Sequence, residues 1–443
     1  MSEQKTIAGF SKLSKRGKIR WIVENFYKDP ETVFNELVSF WHPKEDQQKV
    51  LDGFSENTIS NFPLPLGVAP NFMINDKVYL VPMVIEESSV VAAASAAAKF
   101  WFTRGGFRAE ILGMKKIGQV HFVWKGAFEK LRSHFDLLRE QLMLNAKPIT
   151  KNMEDRGGGI ADIELIDLSD KIPDYYQLKA GFHTCDSMGA NFINSVLENF
   201  ASTLTSFFIS NDQFQGQEKD VRIIMSILSN YTPENIVRVT VSCPIPELYD
   251  EKTIPNPKEF AEKFYTALQI AHVDPHRATT HNKGIYNGVD AVVLATGNDF
   301  RAIEACGHTY AARSGQYSSL SYCSVEDGTF KFWIDLPLAV GTVGGLTSAH
   351  PIARRSLEML GNPGAEDLMK IIGAVGLAQN FAAVRSLVTT GIQKGHMKLH
   401  LSNILTQFGA TEAEQQQVEK YFEDKVVSYS SVREYLEEIR KQG

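Results

Sequence analysis

The order of hydrophobic and polar positions predicts a chain that mixes helices and strands. Apolar residues at helical spacing mark the first fifty positions. They are Trp21, Ile22, Phe26, Phe34, Leu37 and Phe40. Prolines and glycines predict a loop over residues 53–70, and residues 77–83 alternate as a strand. Glu86 and Glu87 precede Ser88 and Ser89, which suit the start of an alanine-rich helix from Val90.

The pattern changes near residue 113. Three strands, IGQVHFVW, GIADIELIDL and YYQLKAGFHTC, alternate with a periodic helix from residue 126 and a second helix over 191–209. This order predicts a small antiparallel α+β unit inserted into a larger mixed one. We therefore expect an α+β multidomain chain divided into residues 1–111, 112–220, 221–388 and 389–443. The last of these segments reads as helical and charged.

Composition narrows the class of protein. The 443 residues are 43% hydrophobic and 22% charged with a net charge of -6, which disfavours nucleic acid as a partner. No apolar run approaches the ~20 residues of a membrane span, and the N-terminus lacks the core of a signal peptide. The four cysteines, Cys185, Cys243, Cys306 and Cys323, form no CxxC pair. A cytoplasmic protein is expected.

The most informative stretch for chemistry is residues 274–300. Lys283 lies between Asn282 and Gly284, which predicts a tight turn, and the β-branched residues 289–296 predict a buried strand or core segment. Asp299 follows that segment. A lysine and an aspartate at its two ends suggest a paired active-site lysine, and an ordinary ion pair at a sheet edge remains the alternative.

Common nucleotide and metal motifs are missing from the sequence. It contains no GxGxxG after a strand and no GxxxxGK[ST], and the glycine-rich residues 341–345 fit a backbone turn as well as a phosphate cradle. His396 and His400 have the spacing of a zinc-binding helix, but Met397 stands where a metalloprotease carries glutamate. No metal site is predicted.

Several longer blocks resemble one family, the 3-hydroxy-3-methylglutaryl-coenzyme A reductases of the soluble bacterial class (class II). The blocks occur in the family's order from near residue 10 to the C-terminal tail. They are ENTISNFPLPLGVAPNF, VPMVIEESSVVAAAS, DSMGAN, DPHRATTHNKG, ATGNDFRAIEA, VGLAQNFAA and GIQKGHMKLH. The resemblance implies a large substrate-binding domain, an inserted ferredoxin-like cofactor domain and a helical C-terminal flap. It also implies a homodimer with its active site between subunits, with stacking into a hexamer left open.

Residue roles follow from the resemblance, block by block. The implied catalytic set is Glu87, Lys283, Asp299 and His396. The implied substrate-binding set is Ser89, Arg277, Asn287 and Gln379. The implied dinucleotide-binding loop is Asp186, Ser187, Met188, Gly189, Ala190 and Asn191. The expected reaction reduces hydroxymethylglutaryl-CoA to mevalonate and coenzyme A in two hydride transfers, with Lys283 on the oxyanion, Glu87 as acid and His396 protonating the thiolate.

Cofactor choice depends on the residues just before Gly157. NADH-preferring members of the family carry an aspartate there, but this chain has Thr150 at the matching position, between Lys147 and Lys151. A missing carboxylate removes repulsion against a 2′-phosphate, and either lysine offers a partner for it. NADPH and isoprenoid biosynthesis are therefore expected. An NADH-linked enzyme oxidising mevalonate and a non-catalytic acyl-CoA or nucleotide-binding protein are the alternatives.

Overall fold

Three antiparallel sheets organise the chain in the computed structural model, which describes residues 6–389, 401–402, 404–422, 425 and 427–442. The first helices are α1 (Lys15–Phe26), α2 (Pro30–Ser39), α3 (Glu45–Asp52), α4 (Ser88–Phe102), α5 (Phe128–Ser133), α6 (Phe135–Glu154) and α7 (Ala190–Ser210). They are followed by α8 (Pro257–Val273), α9 (Pro275–Ala295), α10 (Phe300–Ala311), α11 (Gly345–Ala349), α12 (Pro351–Met359) and α13 (Ala365–Val388). The strands are β1 (Leu66–Ile74), β2 (Lys77–Val84), β3 (Arg108–Ile111), β4 (Lys116–Trp124), β5 (Gly159–Asp167), β6 (Tyr175–His183), β7 (Val221–Ser229), β8 (Ile236–Pro244), β9 (Ser321–Glu326) and β10 (Thr329–Pro337). The mixed α+β class agrees with the sequence expectation.

The larger unit is built on a four-stranded sheet in the order β3-β8-β10-β9. Helices α4, α8, α9 and α13 pack with this sheet and with the β1–β2 pair around one hydrophobic core. Helix α13 is long and apolar enough to cross a membrane by length and composition, but most of its apolar window is buried inside the protein. It is therefore the central helix of this core.

The inserted unit has the connectivity βαββαβ. Its sheet runs in the order β5-β6-β4-β7 with every pair antiparallel, and α6 and α7 pack against each other over a separate core. This is the predicted ferredoxin-like arrangement. Strand β7 follows the expected boundary at residue 220 but pairs with β4, so the sheet extends nine residues beyond that boundary.

Helix α9 corrects the sequence expectation for residues 274–300. Asp274 caps the helix by accepting a hydrogen bond from the His276 amide, and Pro275 occupies its first position. The helix continues through Lys283 and the β-branched run to Ala295, so the predicted turn at Gly284 is wrong. Of the two readings of the β-branched run, the strand is wrong and the buried core segment is correct. The run was misread because its buried positions also recur every three or four residues.

The N-terminal predictions were correct in type but not in detail. The hydrophobic core of α1 and α2 is formed by Ile19, Val23 and Phe34, whereas Phe26 and Phe40 are about half exposed. Because the chain is interrupted between α1 and α2, the apolar positions of the two helices do not form one continuous stripe. The predicted loop also ends early, because β1 begins at Leu66.

The described part of the C-terminal segment contains the helices Glu412–Tyr421 and Tyr429–Gln442, together with helical residues at 401–402 and 404–407. They pack over a small core of their own that includes Leu405, Val418 and Leu436. The Glu414 carboxylate accepts a hydrogen bond from Arg440, at 2.6 Å, which joins the two helices. The described part of the segment is thus largely helical, as predicted.

Candidate active site

A cleft of about 460 Å³ lies between α4, α9 and α13, and we call it the lysine cleft. It brings together six predicted site residues from three distant parts of the sequence. They are Glu87, Ser89, Arg277, Lys283, Asn287 and Gln379. All four of the predicted substrate-binding residues are in this set.

Glu87 and Lys283 form an ion pair inside the lysine cleft. Glu87 precedes α4, but its side chain leaves the helix uncapped. One carboxylate oxygen lies 3.6 Å from Lys283 Nζ, and the other accepts a hydrogen bond from the Ser89 hydroxyl at 3.1 Å. The Lys283 side chain is 66% exposed and that of Glu87 is 38% exposed, so water reaches this pair within one chain.

Arg277 supplies a second positive charge to the cleft. It lies on the same face of α9 as Gly284 and Asn287, because these positions are three or seven residues apart. Burial lowers the pKa of the Arg277 guanidinium, and it has no ion-pair partner among the residues described. A partly buried guanidinium without a carboxylate is suited to bind an anionic ligand.

Close packing of α9 on α13 places Gln379 in the cleft. A Cβ at Gly288 would lie 2.9 Å from the Val375 carbonyl oxygen and 2.9 Å from Gln379 Cβ, so only glycine permits this approach. Gln379 is 6% exposed, and its side-chain oxygen has no hydrogen-bond partner in the described part of the chain. This amide is therefore held facing the lysine cleft with an unused acceptor.

Asp299 lies in a different cleft, of about 790 Å³, which we call the loop cleft. It caps α10, with one oxygen accepting from the amide of Arg301 at 3.1 Å and of Ala302 at 3.3 Å, and it pairs with the Arg301 guanidinium. Partial burial opposes ionisation, but Arg301 and the helix amides outweigh it and lower the pKa of Asp299. The predicted pairing of Asp299 with Lys283 is therefore wrong within one chain.

The loop cleft also contains most of the predicted dinucleotide-binding loop. Ser187, Met188, Gly189, Ala190 and Asn191 line it, together with residues 341 and 343–347 from the glycine-rich segment. Gly189 has a φ of 92°, and a Cβ there would lie 2.5 Å from Thr184 Cγ2. The loop therefore depends on glycine where it enters the N-terminus of α7, whose first amides have no side-chain cap.

Asp186 takes a structural position beside that loop. Its carboxylate accepts a hydrogen bond from the Ala365 amide at 2.7 Å, at the start of α13, and its carbonyl oxygen accepts one from the Thr342 amide at 2.8 Å. Asp186 thus joins the small unit to two parts of the large one. It lines a neighbouring cavity rather than the loop cleft itself.

Lys116, which was not identified from the sequence, holds the same loop through two hydrogen bonds. It is 3% exposed, and its ammonium group donates to Thr184 Oγ1 at 2.6 Å and to the Ser187 carbonyl oxygen at 2.9 Å. Burial lowers the pKa of Lys116 to about 8. In the sequence Lys116 stands beside Lys115 at the start of an apolar strand, and residue type alone does not show that one of these two lysines is buried.

Two of the residues expected to select the cofactor, Lys147 and Thr150, contact the carboxylate of Glu154. Lys147 forms an ion pair with Glu154, and Thr150 donates a hydrogen bond to Glu154 at 2.6 Å. The Thr150 side chain is buried, at 1% exposure, whereas Lys151 is exposed and has no ion pair in the described ranges. The sequence reading treated this stretch as free of acidic groups, but the next helical turn brings Glu154 beside it.

His281 is a further residue of the lysine cleft that the sequence analysis did not select. It is 2% exposed, and its Nε2 lies 2.7 Å from Ser321 Oγ. Had α9 been predicted as a helix, the spacing of four residues would have placed His281 beside Arg277. His396 and His400 fall outside the described residues, so the predicted role of His396 stays a prediction.

Comparison with known proteins gives a consistent result. A family model described as hydroxymethylglutaryl-coenzyme A reductase matches residues 22–401. The 3-hydroxy-3-methylglutaryl-coenzyme A reductase of Archaeoglobus fulgidus is 36% identical over 437 residues, which cover 98% of this chain and 94% of that protein. A probable reductase of the same name from Borreliella burgdorferi is 32% identical over 89% of this chain and 85% of its own length.

Solved structures give the same match at the level of the fold. A class II reductase from Streptococcus pneumoniae, bound to NADPH in open conformations, superimposes with a TM-score of 0.69 and 36% identity. The match covers 93% of this chain and 98% of that one. A second structure from the same organism has 34% identity and a TM-score of 0.69 over 98% of this chain.

Proposed function

Because the chain belongs to the hydroxymethylglutaryl-coenzyme A reductase family, we propose that it reduces (S)-3-hydroxy-3-methylglutaryl-CoA to (R)-mevalonate and coenzyme A with NADPH. The observation that carries this proposal is the lysine cleft, where Glu87, Lys283 and Arg277 meet. We place the reaction in the cytoplasm and in isoprenoid biosynthesis.

The cleft residues fit the two reductions in turn. The Lys283 ammonium stabilises the oxyanion that develops on the thioester carbonyl in the first step, which yields a hemithioacetal. Its collapse to an aldehyde releases the coenzyme A thiolate, and His396 is predicted to protonate that thiolate. Glu87 then donates a proton to the aldehyde oxygen as the second hydride arrives. Arg277 holds the carboxylate at the far end of the substrate.

The loop cleft fits the dinucleotide. NADPH, when bound, supplies the hydride for each of the two reductions. Uncapped amides at the N-terminus of α7 suit a pyrophosphate, and the absence of a side chain at Gly344 leaves room for its approach. Lys116 fixes the loop beneath them.

A complete site needs two copies of the chain. Lys283 lies twelve residues before the end of α9, which is about 18 Å along the helix axis, and Asp299 lies beyond that end. We propose that Asp299 of one subunit approaches Lys283 of the other in a homodimer. It would hold that lysine charged and oriented, and the second subunit would shield it from water.

An exposed apolar surface beside the lysine cleft supports this dimer. Strand β1 packs on α4 and β2 packs on α9, so the β1–β2 pair adjoins the helices of the cleft. Its outer face and the preceding segment carry apolar side chains that are 41–91% exposed. They are Phe62, Leu66, Val68, Val78 and Leu80. A contiguous apolar patch of this kind is typical of an interface between subunits.

The domain boundaries and the role of each domain follow the sequence prediction. We propose that residues 1–111 and 221–388 form the substrate-binding domain, that residues 112–220 begin the cofactor domain, and that residues 389–443 form a flap. The extra strand β7 completes the cofactor sheet. A helical flap that carries His396 would close over the site during reaction and open for product release.

The deciding experiment is the initial rate with hydroxymethylglutaryl-CoA, comparing NADPH with NADH at equal concentration. We expect a strong preference for NADPH. A strong preference for NADH would favour the degradative alternative, which oxidises mevalonate. No rate with either cofactor would favour the non-catalytic acyl-CoA or nucleotide-binding alternative.

Lysine variants locate the source of that preference. Because Glu154 already neutralises Lys147, we expect Lys151→Ala to lower the NADPH-to-NADH ratio by about tenfold and Lys147→Ala to lower it less. Lys179→Ala serves as the control, since Lys179 lies on β6 and pairs with Glu164. An unchanged ratio in both test variants would mean that neither lysine contacts the 2′-phosphate.

A further inference from the structure

His281 lines the lysine cleft and carries a buried ring nitrogen without a hydrogen-bond partner among the described residues. Its Nε2 contacts Ser321 Oγ at 2.7 Å, and Ser321 Oγ donates to the Asn380 side-chain oxygen at 2.7 Å. The other ring nitrogen, Nδ1, is buried and has no partner among the described residues. Both His281 and Asn380 line the cleft.

The hydrogen bonds around Ser321 determine the protonation of this ring. Ser321 has one hydroxyl proton and donates it to Asn380, while Ser319 uses its own proton on the Ser321 carbonyl oxygen at 2.9 Å. His281 must therefore carry a proton on Nε2 and donate it to Ser321 Oγ. Burial, with the charges of Arg277 and His272, lowers the pKa of His281 to about 3, so the ring is neutral at physiological pH. Its Nδ1 is then an acceptor without a proton.

A neutral acceptor can only be satisfied by a ligand that donates. At neutral pH the hydroxymethylglutaryl group has one donor, its 3-hydroxyl, because the carboxylate and the thioester oxygens only accept. The position of His281 agrees with this assignment. On α9 it lies between Arg277, which is proposed to hold the carboxylate, and Lys283, which is proposed to act on the thioester. The carbon that bears the hydroxyl lies between those two groups in the substrate.

We propose that His281 Nδ1 accepts a hydrogen bond from the 3-hydroxyl of the substrate and so selects for the hydroxylated acyl group. This inference rests on the proposed function. Ser321 and Asn380 act as positioning residues, because they fix the tautomer and orientation of the ring. The side-chain oxygen of Gln379, on α13, is the other acceptor without a partner among the described residues that line the cleft. We assign it to the amide donors of the coenzyme A arm.

The test compares hydroxymethylglutaryl-CoA with 3-methylglutaryl-CoA, which lacks only the 3-hydroxyl. We expect the dimeric enzyme to prefer the hydroxylated substrate in kcat/KM and His281→Phe to reduce that preference by at least about tenfold. The loss should arise on the hydroxylated substrate, with the analogue little changed. If both substrates lose kcat/KM by the same factor, His281 has only a structural role and the inference is wrong.

Two further variants keep the test decisive. His281→Asn retains an acceptor near the position of Nδ1 and should keep most of the preference. Ser321→Ala frees the ring to move its proton to Nδ1 and should lower the preference even if His281→Phe does not fold, and an unchanged preference there would overturn the proposal. His272→Phe is the control, because His272 also contacts a serine hydroxyl, at 3.1 Å, but does not line the cleft. A wild-type enzyme without activity on hydroxymethylglutaryl-CoA would instead refute the proposed function.

Discussion

The lysine cleft and the loop cleft differ in the kind of chemical groups that line them. Side chains from three helices define the lysine cleft, including one ion pair and two buried acceptors, on His281 and Gln379, that have no partner in the described residues. Backbone defines much of the loop cleft, where glycines and the first amides of α7 surround a single carboxylate, Asp299, already paired with Arg301. In the proposed function the lysine cleft selects and polarises the acyl group of the substrate, and the loop cleft binds the dinucleotide.

Under the proposed function, neither cleft is sufficient alone. The lysine cleft holds Lys283 in contact with water, and the loop cleft holds the aspartate that the family resemblance assigns to that lysine. A dimer that joins the two clefts would exclude the water and complete the charge arrangement.

The largest effect is expected from Lys283→Ala. Loss of the cation removes the stabilisation of the oxyanion, so kcat should fall by at least about 1,000-fold while coenzyme A binding, measured by calorimetry, persists. Lys263→Ala is the control, because Lys263 lies on α8 and pairs with Glu259 outside the cleft. Activity within tenfold of wild type would remove Lys283 from the mechanism.

Glu87→Gln should have the next largest effect. The amide keeps the shape of the side chain but cannot donate the proton, so the aldehyde reduction should slow by about 100-fold or more. Stopped-flow measurement of cofactor oxidation with the aldehyde as substrate isolates this step. Glu86→Gln, at the neighbouring position outside the cleft, should leave the rate unchanged.

Lys116→Met tests the loop cleft without touching the lysine cleft. Its ammonium group holds Thr184 and Ser187, so its loss should raise KM for NADPH about tenfold and leave KM for hydroxymethylglutaryl-CoA unchanged. Lys179→Met, in the same sheet, is the control. Equal changes in both KM values would show that Lys116 supports the whole fold rather than the loop.

The smallest effect concerns stability rather than catalysis. Burial, together with the nearby Glu304 carboxylate, raises the pKa of Asp290 to about 8. The folded state then binds a proton that the unfolded state releases between about pH 4 and pH 8, so this group makes stability fall as pH rises through that range. Asp290→Asn should therefore raise Tm over wild type by a few degrees more at pH 8 than at pH 4.

The exposed Asp212 provides the matched control for that prediction. Its replacement by asparagine should shift Tm equally at both pH values. A Tm difference for Asp290→Asn that stays constant between pH 4 and pH 8 would mean that Asp290 is ionised normally in the folded protein.

Sequence patterns predicted three of the four strands of the inserted sheet, but the fourth, β7, lies beyond the expected boundary at residue 220. Sequence patterns failed at α9, where Gly284 suggested a turn and the β-branched residues 289–296 suggested a buried strand or core segment. The glycines at 284 and 288 are helical, and at 288 the glycine is required by the approach of α13. That requirement is tertiary and leaves no local trace.

The site residues were predictable as a set but not in their partners. Recognisable blocks identified six residues of the lysine cleft, yet Asp299, which spacing and resemblance both assigned to Lys283, lies in the loop cleft of the same chain. Lys116, Glu154 and His281 were missed because their roles depend on burial and on neighbours from other elements. Such roles follow from packing and cannot be read from residue type.

Subunit complementation tests the central claim most directly. Mixing Lys283→Ala chains with Asp299→Ala chains, each inactive alone, and allowing subunits to exchange should restore about a quarter of wild-type activity, because half of the dimers are mixed and each has one intact composite site. Restored activity on this scale is the predicted result. No recovery, with mixed dimers confirmed by mass spectrometry, would contradict a site shared between Lys283 of one subunit and Asp299 of the other.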